Sequence, residues 1–507
     1  MTEASGEETS GLAGRPDRAA GADHRPRVAY LSFSSAEFDA RSMRMARSAV
    51  AAGWQATIYA RLEPGLPDVE EHHGFRIVRV PADGRRAVPG FRGIARRRAA
   101  VALAEAALLR GQRGPRQEPA PARAPRRVAR LLPERLRRWR RSVIWFPLRP
   151  LGWAGALDDV VDAADVWHGM WAGSLPAVVR QRSRLGGRAV YDSRDVFMES
   201  RDWARLEWPL RPLLAAVERV FAQRVDRVVT VNEPYADLLA ERLHVPRPVV
   251  VMNCPEAWTP PTPPPDRIRA ALGLPATTSI ALYTGQLVSD RGIEQAMDAI
   301  LMVPDAVLVL LGYGPMAARL AELVEAPPYL GRVKLLPAVP PDELLAWTAS
   351  ADVTVMAIQP TSLNHRFTTP QKLFESLAAG VPVVASDLPG MRAIVAATGA
   401  GVVCDPTSPA AIAAAIDGVV NAGPARLEAL RNAARTAARD TYNWPAQARV
   451  LFDLYEDLSL PASARRPPSA RSGMERPPGV PPAADGPKPD GDGPVEEQQQ
   501  IEESRAS

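Results

Sequence analysis

Apolar and polar positions fall into two long blocks, each a succession of short apolar runs separated by amphipathic stretches. The first run, Arg27 to Phe33 (RVAYLSF), stops at Ser34 and Ser35; a helical stretch around Met43 to Ala52 ends at Gly53, and QATIYA follows as a second strand. Strand, helix, glycine, strand is a βαβ unit, the opening of a doubly wound parallel sheet. Phe75 to Val80 adds a third strand. The alternation continues through Asp165 to His168 (DVWH), a helix over Ala177 to Arg182, a strand at Arg188 to Tyr191 and a helix from about Trp208 to Arg224. With Val228 to Val231 and Val249 to Met252, six or seven strands are predicted for this block.

PEAWTPPTPPPD, residues 255–266, interrupts the pattern, because proline removes the ladder donor and stiffens the chain. Beyond it SIALYTG, AVLVLLG, VKLLPAV, VTVMAI and VPVVAS read as strands, with helices starting at Gly292 and spanning 315–324, 342–349 and 372–379. The predicted organisation is a tail over 1–25, a first domain over 26–254, a linker over 255–266, a second domain over 267–445, a C-terminal helix over 446–460 and a Pro- and charge-rich disordered tail over 461–507. Two such domains joined by one hinge set the carboxyl ends of both sheets on either side of a cleft.

Composition fits this picture: 507 residues exceed one core, and 46% hydrophobic with 23% charged residues is a globular balance. Cys254 and Cys404 are the only cysteines, too few for a disulfide framework or a cysteine-rich zinc site, which fits a reducing compartment. No stretch has the length of a signal peptide or a membrane span, so a cytoplasmic protein is expected. Charge changes the picture at one place. Residues 85–149 hold nineteen arginines against three acids, leaving the remainder of the chain net acidic. Leu131, Leu132, Leu136, Trp139, Val143 and Trp145 lie among those arginines as in an interfacial helix, which points to an anionic membrane surface and a peripheral location at its inner face. A solvated linker and a nucleic-acid patch are the competing readings, the last ranked lowest, and no nucleic-acid partner is assigned.

The chemistry-bearing residues cluster in the second block. No G-x-G-x-x-G follows the first strand, and GYGP at 312–315 lacks a third glycine, so a dinucleotide cofactor is not expected. PQKLFESLAAG begins a helix at Pro370 whose first turn offers free N–H groups and the positive end of a dipole to an anion such as a diphosphate. Lys372 adds a charge there, and Glu375 is placed to accept hydrogen bonds from two ribose hydroxyls. Taken singly, these are also what a solvated helix end and a helix cap look like.

YTGQLVSDRG (283–292), VLLGYGP, LLPAVPPDELLAWTASADVTVMAI and above all PQKLFESLAAGVPVVASDLPGMRAIV (370–395) resemble the retaining GT-B glycosyltransferases of family 4, over roughly Arg27 to Leu458. The resemblance implies two Rossmann-like domains facing a cleft and transfer of a sugar from a nucleotide diphosphate donor to an acceptor, without a cofactor or metal. It places Gly285, Arg291, Lys372 and Glu375 at the donor, with Arg291 where the family carries a phosphate-binding lysine. Two departures stand out: Gln286 replaces an arginine, and Phe367 stands where many members have a first glutamate, with seven residues between it and Glu375. SLNHRF (362–367) offers Asn364, His365 or Arg366 as substitutes on the donor side, with Asn364 taken as the donor-side candidate. DVWHGMW is similar to a family motif with a histidine facing the reacting centre, which makes His168 the catalytic candidate. FDARSMRM and YDSRDVFMES place Asp39, Arg41, Asp195 and Glu199 on the acceptor side. A catalytically silent partner subunit and a sugar-nucleotide epimerase on the same fold are the alternatives.

Overall fold

The computed structural model describes residues 25–37, 39–82, 148–200, 210–263 and 265–460. The arginine-rich segment, apart from Leu148 and Arg149, and both predicted tails, apart from Arg25, lie outside them.

The first sheet has eight strands: β1 (Arg27–Ser32), β2 (Gln55–Arg61), β3 (Val69–His72), β4 (Phe75–Val80), β5 (Val166–Met170), β6 (Arg188–Ser193), β7 (Arg227–Thr230) and β8 (Val249–Val250). Their order is β3-β4-β2-β1-β5-β6-β7-β8, parallel except for the antiparallel β3–β4 pair. VEEH of β3 carries no apolar alternation, so the pattern could not announce it; it survives as an edge strand paired on one side. Strand order reverses between β1 and β5, and β5 is buried along its whole length because helices cover both sheet faces.

The second sheet has six parallel strands: β9 (Ser279–Gln286), β10 (Ala306–Tyr313), β11 (Val333–Pro337), β12 (Val353–Met356), β13 (Val383–Ser386) and β14 (Gly401–Cys404). They run β11-β10-β9-β12-β13-β14, with the reversal between β9 and β12. The sequence reading gave five; the four-residue GVVC strand, half-buried at the edge, is the sixth.

The second domain does not keep the end of the chain. The Trp444–Ser459 helix, capped by Asn443 Oδ1 accepting from the Ala446 N–H at 2.9 Å, returns to the first domain. There Trp444, Leu451, Leu454, Tyr455 and Leu458 share one core with Val28, Tyr30, Met45 and Trp54. Burying each such leucine contributes about 1.5–3 kcal/mol, so this helix is an integral layer of the first domain. The chain therefore crosses between domains twice, after β8 and again near Trp444, whose N–H bonds the Pro255 carbonyl at 2.7 Å.

A second contact joins the domains beside the cleft. Asn232 Nδ2 donates to the Phe367 carbonyl at 2.9 Å and to Thr369 Oγ1 at 3.1 Å, while Phe367 packs on the first-domain cluster of Tyr191, Phe197 and Tyr235. Among the described residues no helix is long and apolar enough to cross a membrane.

Candidate active site

The second-domain wall is built at the reversal of strand order, where two neighbouring loops diverge and leave a crevice. The loop after β9 is shaped by Asp290 and Gly292, both left-handed at φ 66° and 69°, with Arg291 between them. Only glycine fits at 292, since a Cβ there would meet the Ala357 carbonyl oxygen at 1.8 Å. The Gln359 N–H fixes the same loop from the far side, bonding the Asp290 carbonyl at 3.0 Å. Among the described residues Arg291 makes no ion pair.

The Gln371–Ala378 helix supplies the rest of this wall. Leu373, Phe374 and Leu377 point into the core, which turns Lys372 and Glu375, three residues apart, to the opposite face. Ser376 Oγ ties the helix to β12 by accepting from Thr354 Oγ1 at 2.8 Å, and donates back within the helix to the Lys372 carbonyl at 2.7 Å. Lys372 Nζ is buried without a hydrogen-bond partner, 3.6 Å from the centre of the Tyr283 ring. Burial, followed by repulsion from Arg291, pulls its pKa down to about 7. Burial raises the carboxyl of Glu375, against which Gln371 Nε2 donates to Oε1 at 2.9 Å. Gly285 borders this group: a Cβ on it would lie 4.0 Å from Lys372 Cε. The structure thus brings Gly285, Arg291, Lys372 and Glu375 to one edge of one sheet.

On the first-domain wall, Asp39 caps the Ala40–Ala51 helix, accepting from the Ser42 N–H at 3.3 Å and Ser42 Oγ at 2.6 Å, and it also receives Arg194 Nη1 at 2.9 Å. Burial would raise its pKa; the Arg194 charge and the Ser42 donors outweigh it and hold it low. Asp195 is exposed, and the charges of Arg194 and, from the opposite domain, Arg291 act on it. Arg41 is buried at 2% exposure and forms an ion pair with the fully buried Asp192, Nε to Oδ2 at 2.7 Å. Burial opposes the Asp192 charge, but Arg41 keeps this carboxyl well below the usual range.

Three sequence assignments are revised by what the side chains touch. His168 does not face the cleft: it has no solvent exposure, its Nδ1 is 2.7 Å from the Tyr455 hydroxyl, and its Nε2 is 3.6 Å from Asp192. Burial lowers its pKa, its Nε2 has no hydrogen-bond partner, and the ring cannot touch a substrate in this arrangement. Asn364 clasps the other domain, its Oδ1 accepting from the Val196 N–H at 2.8 Å and its Nδ2 donating to the Val196 carbonyl at 3.2 Å. Glu199 is held by Arg211 at 2.7 Å and Arg242 at 2.9 Å, so its carboxylate is already paired.

Sequence reasoning missed Tyr283, Arg44 and Asn253. Arg41 and Arg44, three apart on an amphipathic helix, share a face, a signal that would have found Arg44. A single asparagine before a proline-rich stretch and one aromatic within an apolar strand carry no such mark.

Two doubly wound domains whose crevice opens at the strand-order reversals define a GT-B fold. The chain superimposes on sucrose-phosphate synthase from Thermosynechococcus elongatus with a TM-score of 0.63, covering 86% of this chain and 99% of that one at 19% identity. It superimposes on HepE of Anabaena, solved in complex with UDP and glucose, with a TM-score of 0.57, covering 85% and 100% at 12% identity. Residues 265–439 match the family model of glycosyl transferases group 1, so the second domain is a group 1 glycosyl transferase domain. D-inositol 3-phosphate glycosyltransferase of Xylanimonas cellulosilytica is 30% identical over 265 residues, 49% of this chain and 60% of that protein. The corresponding enzyme of Corynebacterium urealyticum is 31% identical over 217 residues, 41% of this chain and 49% of that protein. The chain thus spans about half the length of the curated relatives it matches.

Proposed function

We propose that the protein is a retaining glycosyltransferase of family 4, which moves a hexose from a nucleoside diphosphate donor onto an acceptor hydroxyl. The observation that carries this reading is the buried Lys372 Nζ, which has no hydrogen-bond partner and feels the charge of Arg291 more strongly than that of Glu375, at the mouth of a parallel sheet. Like charges so placed repel each other until a multiply charged anion enters between them, and a diphosphate is such an anion. That a fold neighbour is solved with UDP and glucose, and that the curated relatives are named glycosyltransferases, supports the same chemistry.

In this account Lys372, Arg291 and the first turn of the Gln371–Ala378 helix stabilise the charge that grows on the departing diphosphate. Glu375 accepts from the ribose hydroxyls, and Gly285 leaves space for the donor above Lys372. The diphosphate oxygen assists the incoming hydroxyl on the same face of the sugar. Asp39 and Asp195 border the acceptor side, with Arg194 fixing Asp39; Arg41 acts from beneath through Asp192.

We further assign the arginine-rich segment 85–149, outside the described residues apart from Leu148 and Arg149, to an anionic membrane surface, placing the enzyme at the inner face of a membrane. Binding to acidic vesicles that fades as salt rises, and that is lost when Trp139 and Trp145 become alanine, is the expected result.

Incubation with UDP-, GDP- and dTDP-sugars tests the main reading through slow donor hydrolysis. Absence of any nucleotide binding removes it. Binding without turnover turns the protein into a silent partner subunit, and conversion of the sugar without an acceptor makes it an epimerase.

A further inference from the structure

A chain of hydrogen bonds runs from the first domain to the donor wall. Arg44, on the Ala40–Ala51 helix and 6% exposed, lies over the Trp444 ring at 5.4 Å and donates through Nη2 to Asn253 Oδ1. Asn253 Nδ2 donates to Gln371 Oε1 at 3.2 Å, and Gln371 Nε2 donates to Glu375 Oε1 at 2.9 Å. Asn253 sits where the chain leaves β8 for the second domain, so the links cross the hinge.

The two ends of this chain fix its direction. A guanidinium can only donate and a carboxylate can only accept, so each amide between them has one satisfactory orientation. Turning Asn253 over would set its NH2 against the guanidinium, and turning Gln371 over would set its oxygen against the carboxylate. Such a one-way chain also polarises its members in series, which strengthens the last bond. Its effect is to occupy Oε1 of Glu375 from one fixed side and leave Oε2 for a ligand.

We infer that Arg44 is a positioning residue of the donor site, which acts through Asn253 and Gln371 to orient the Glu375 carboxylate toward the sugar hydroxyls of a ribonucleotide. The inference rests on the nucleotide-sugar reading above. It adds a coupling: the links hold only while the two domains keep their present relation, so the grip on the ribose depends on the hinge.

Calorimetric titration of the full chain tests this, using whichever of UDP and GDP binds better, alongside its 2′-deoxy counterpart. The wild type should prefer the ribonucleotide on the order of tenfold, the worth of one charge-assisted hydrogen bond. In Arg44→Met that preference should fall below about twofold with affinity for the deoxynucleotide unchanged, and Arg44→Lys, which keeps a donor, should restore part of it. A merely structural Arg44 would weaken both nucleotides alike. Asn253→Leu cuts the chain at its middle link and reads the same ratio should Arg44→Met fold poorly without its contact to Trp444. A wild-type ratio in both variants, or equal loss for both nucleotides, overturns the inference while leaving the nucleotide reading intact; a wild type that binds neither nucleotide overturns both.

Discussion

Lys372 Nζ sits 3.6 Å from the centre of the Tyr283 ring and has no hydrogen-bond partner. The ring face supplies partial compensation for a cation taken out of water, and the remaining cost, increased by Arg291, brings the lysine to about 7. The diphosphate diester of a sugar donor does not titrate near neutrality, so pH acts on binding through the lysine. Below pH about 7 the free protein already carries the proton and donor affinity is at its highest. As pH rises through that value the free lysine loses its proton, binding has to restore it, and affinity falls. Calorimetry at alkaline pH in two buffers of different ionisation enthalpy should report proton uptake on binding; proton release, or an affinity independent of pH, would contradict this.

The buried Arg41–Asp192 pair predicts an asymmetric mutational response. Arg41→Met leaves a carboxylate at zero exposure without its counter-charge and should destabilise the protein by about 3–5 kcal/mol. The double change Arg41→Met with Asp192→Leu removes both charges and should recover most of that loss. Urea denaturation of the wild type, the two single variants and the double variant measures it, with additive losses as the contrary result.

Asn364 is predicted to act on domain contact. Asn364→Ala frees both backbone groups of Val196, each bond being worth about 0.5–1.5 kcal/mol, so amide exchange at Val196 should accelerate. Donor affinity should drop less than in Glu375→Ala. Equal losses in the two variants would return Asn364 to the donor contacts.

How much of this was readable in advance follows from where the signals lie. Long apolar runs such as AVLVLLG and VTVMAI announce buried parallel strands, whereas VEEH and GVVC are short edge strands whose pairing supplies what their composition lacks. The helix carrying Lys372 and Glu375 could be placed because its apolar spacing fixes which face turns outward. His168 was misjudged for the opposite reason: a strand alternates its faces, and no local pattern tells whether a residue near the strand end looks into the cleft or, as here, toward Tyr455 of a helix 287 residues later. The same distance in sequence hid the Arg44 chain and the return of the Trp444–Ser459 helix to the first domain, which are made by tertiary contact alone.

The most direct test of the central claim pairs one titration with one melting curve on the wild type and Lys372→Met. The account predicts that the wild type binds a nucleoside diphosphate sugar and that Lys372→Met loses on the order of tenfold or more in affinity, because a charged contact to the diphosphate is gone. It also predicts that the ligand-free variant melts higher than the wild type, since an unpartnered buried cation has been replaced by an apolar side chain of similar length. Unchanged affinity together with a lower melting temperature would show that Lys372 serves the fold, and would contradict the site.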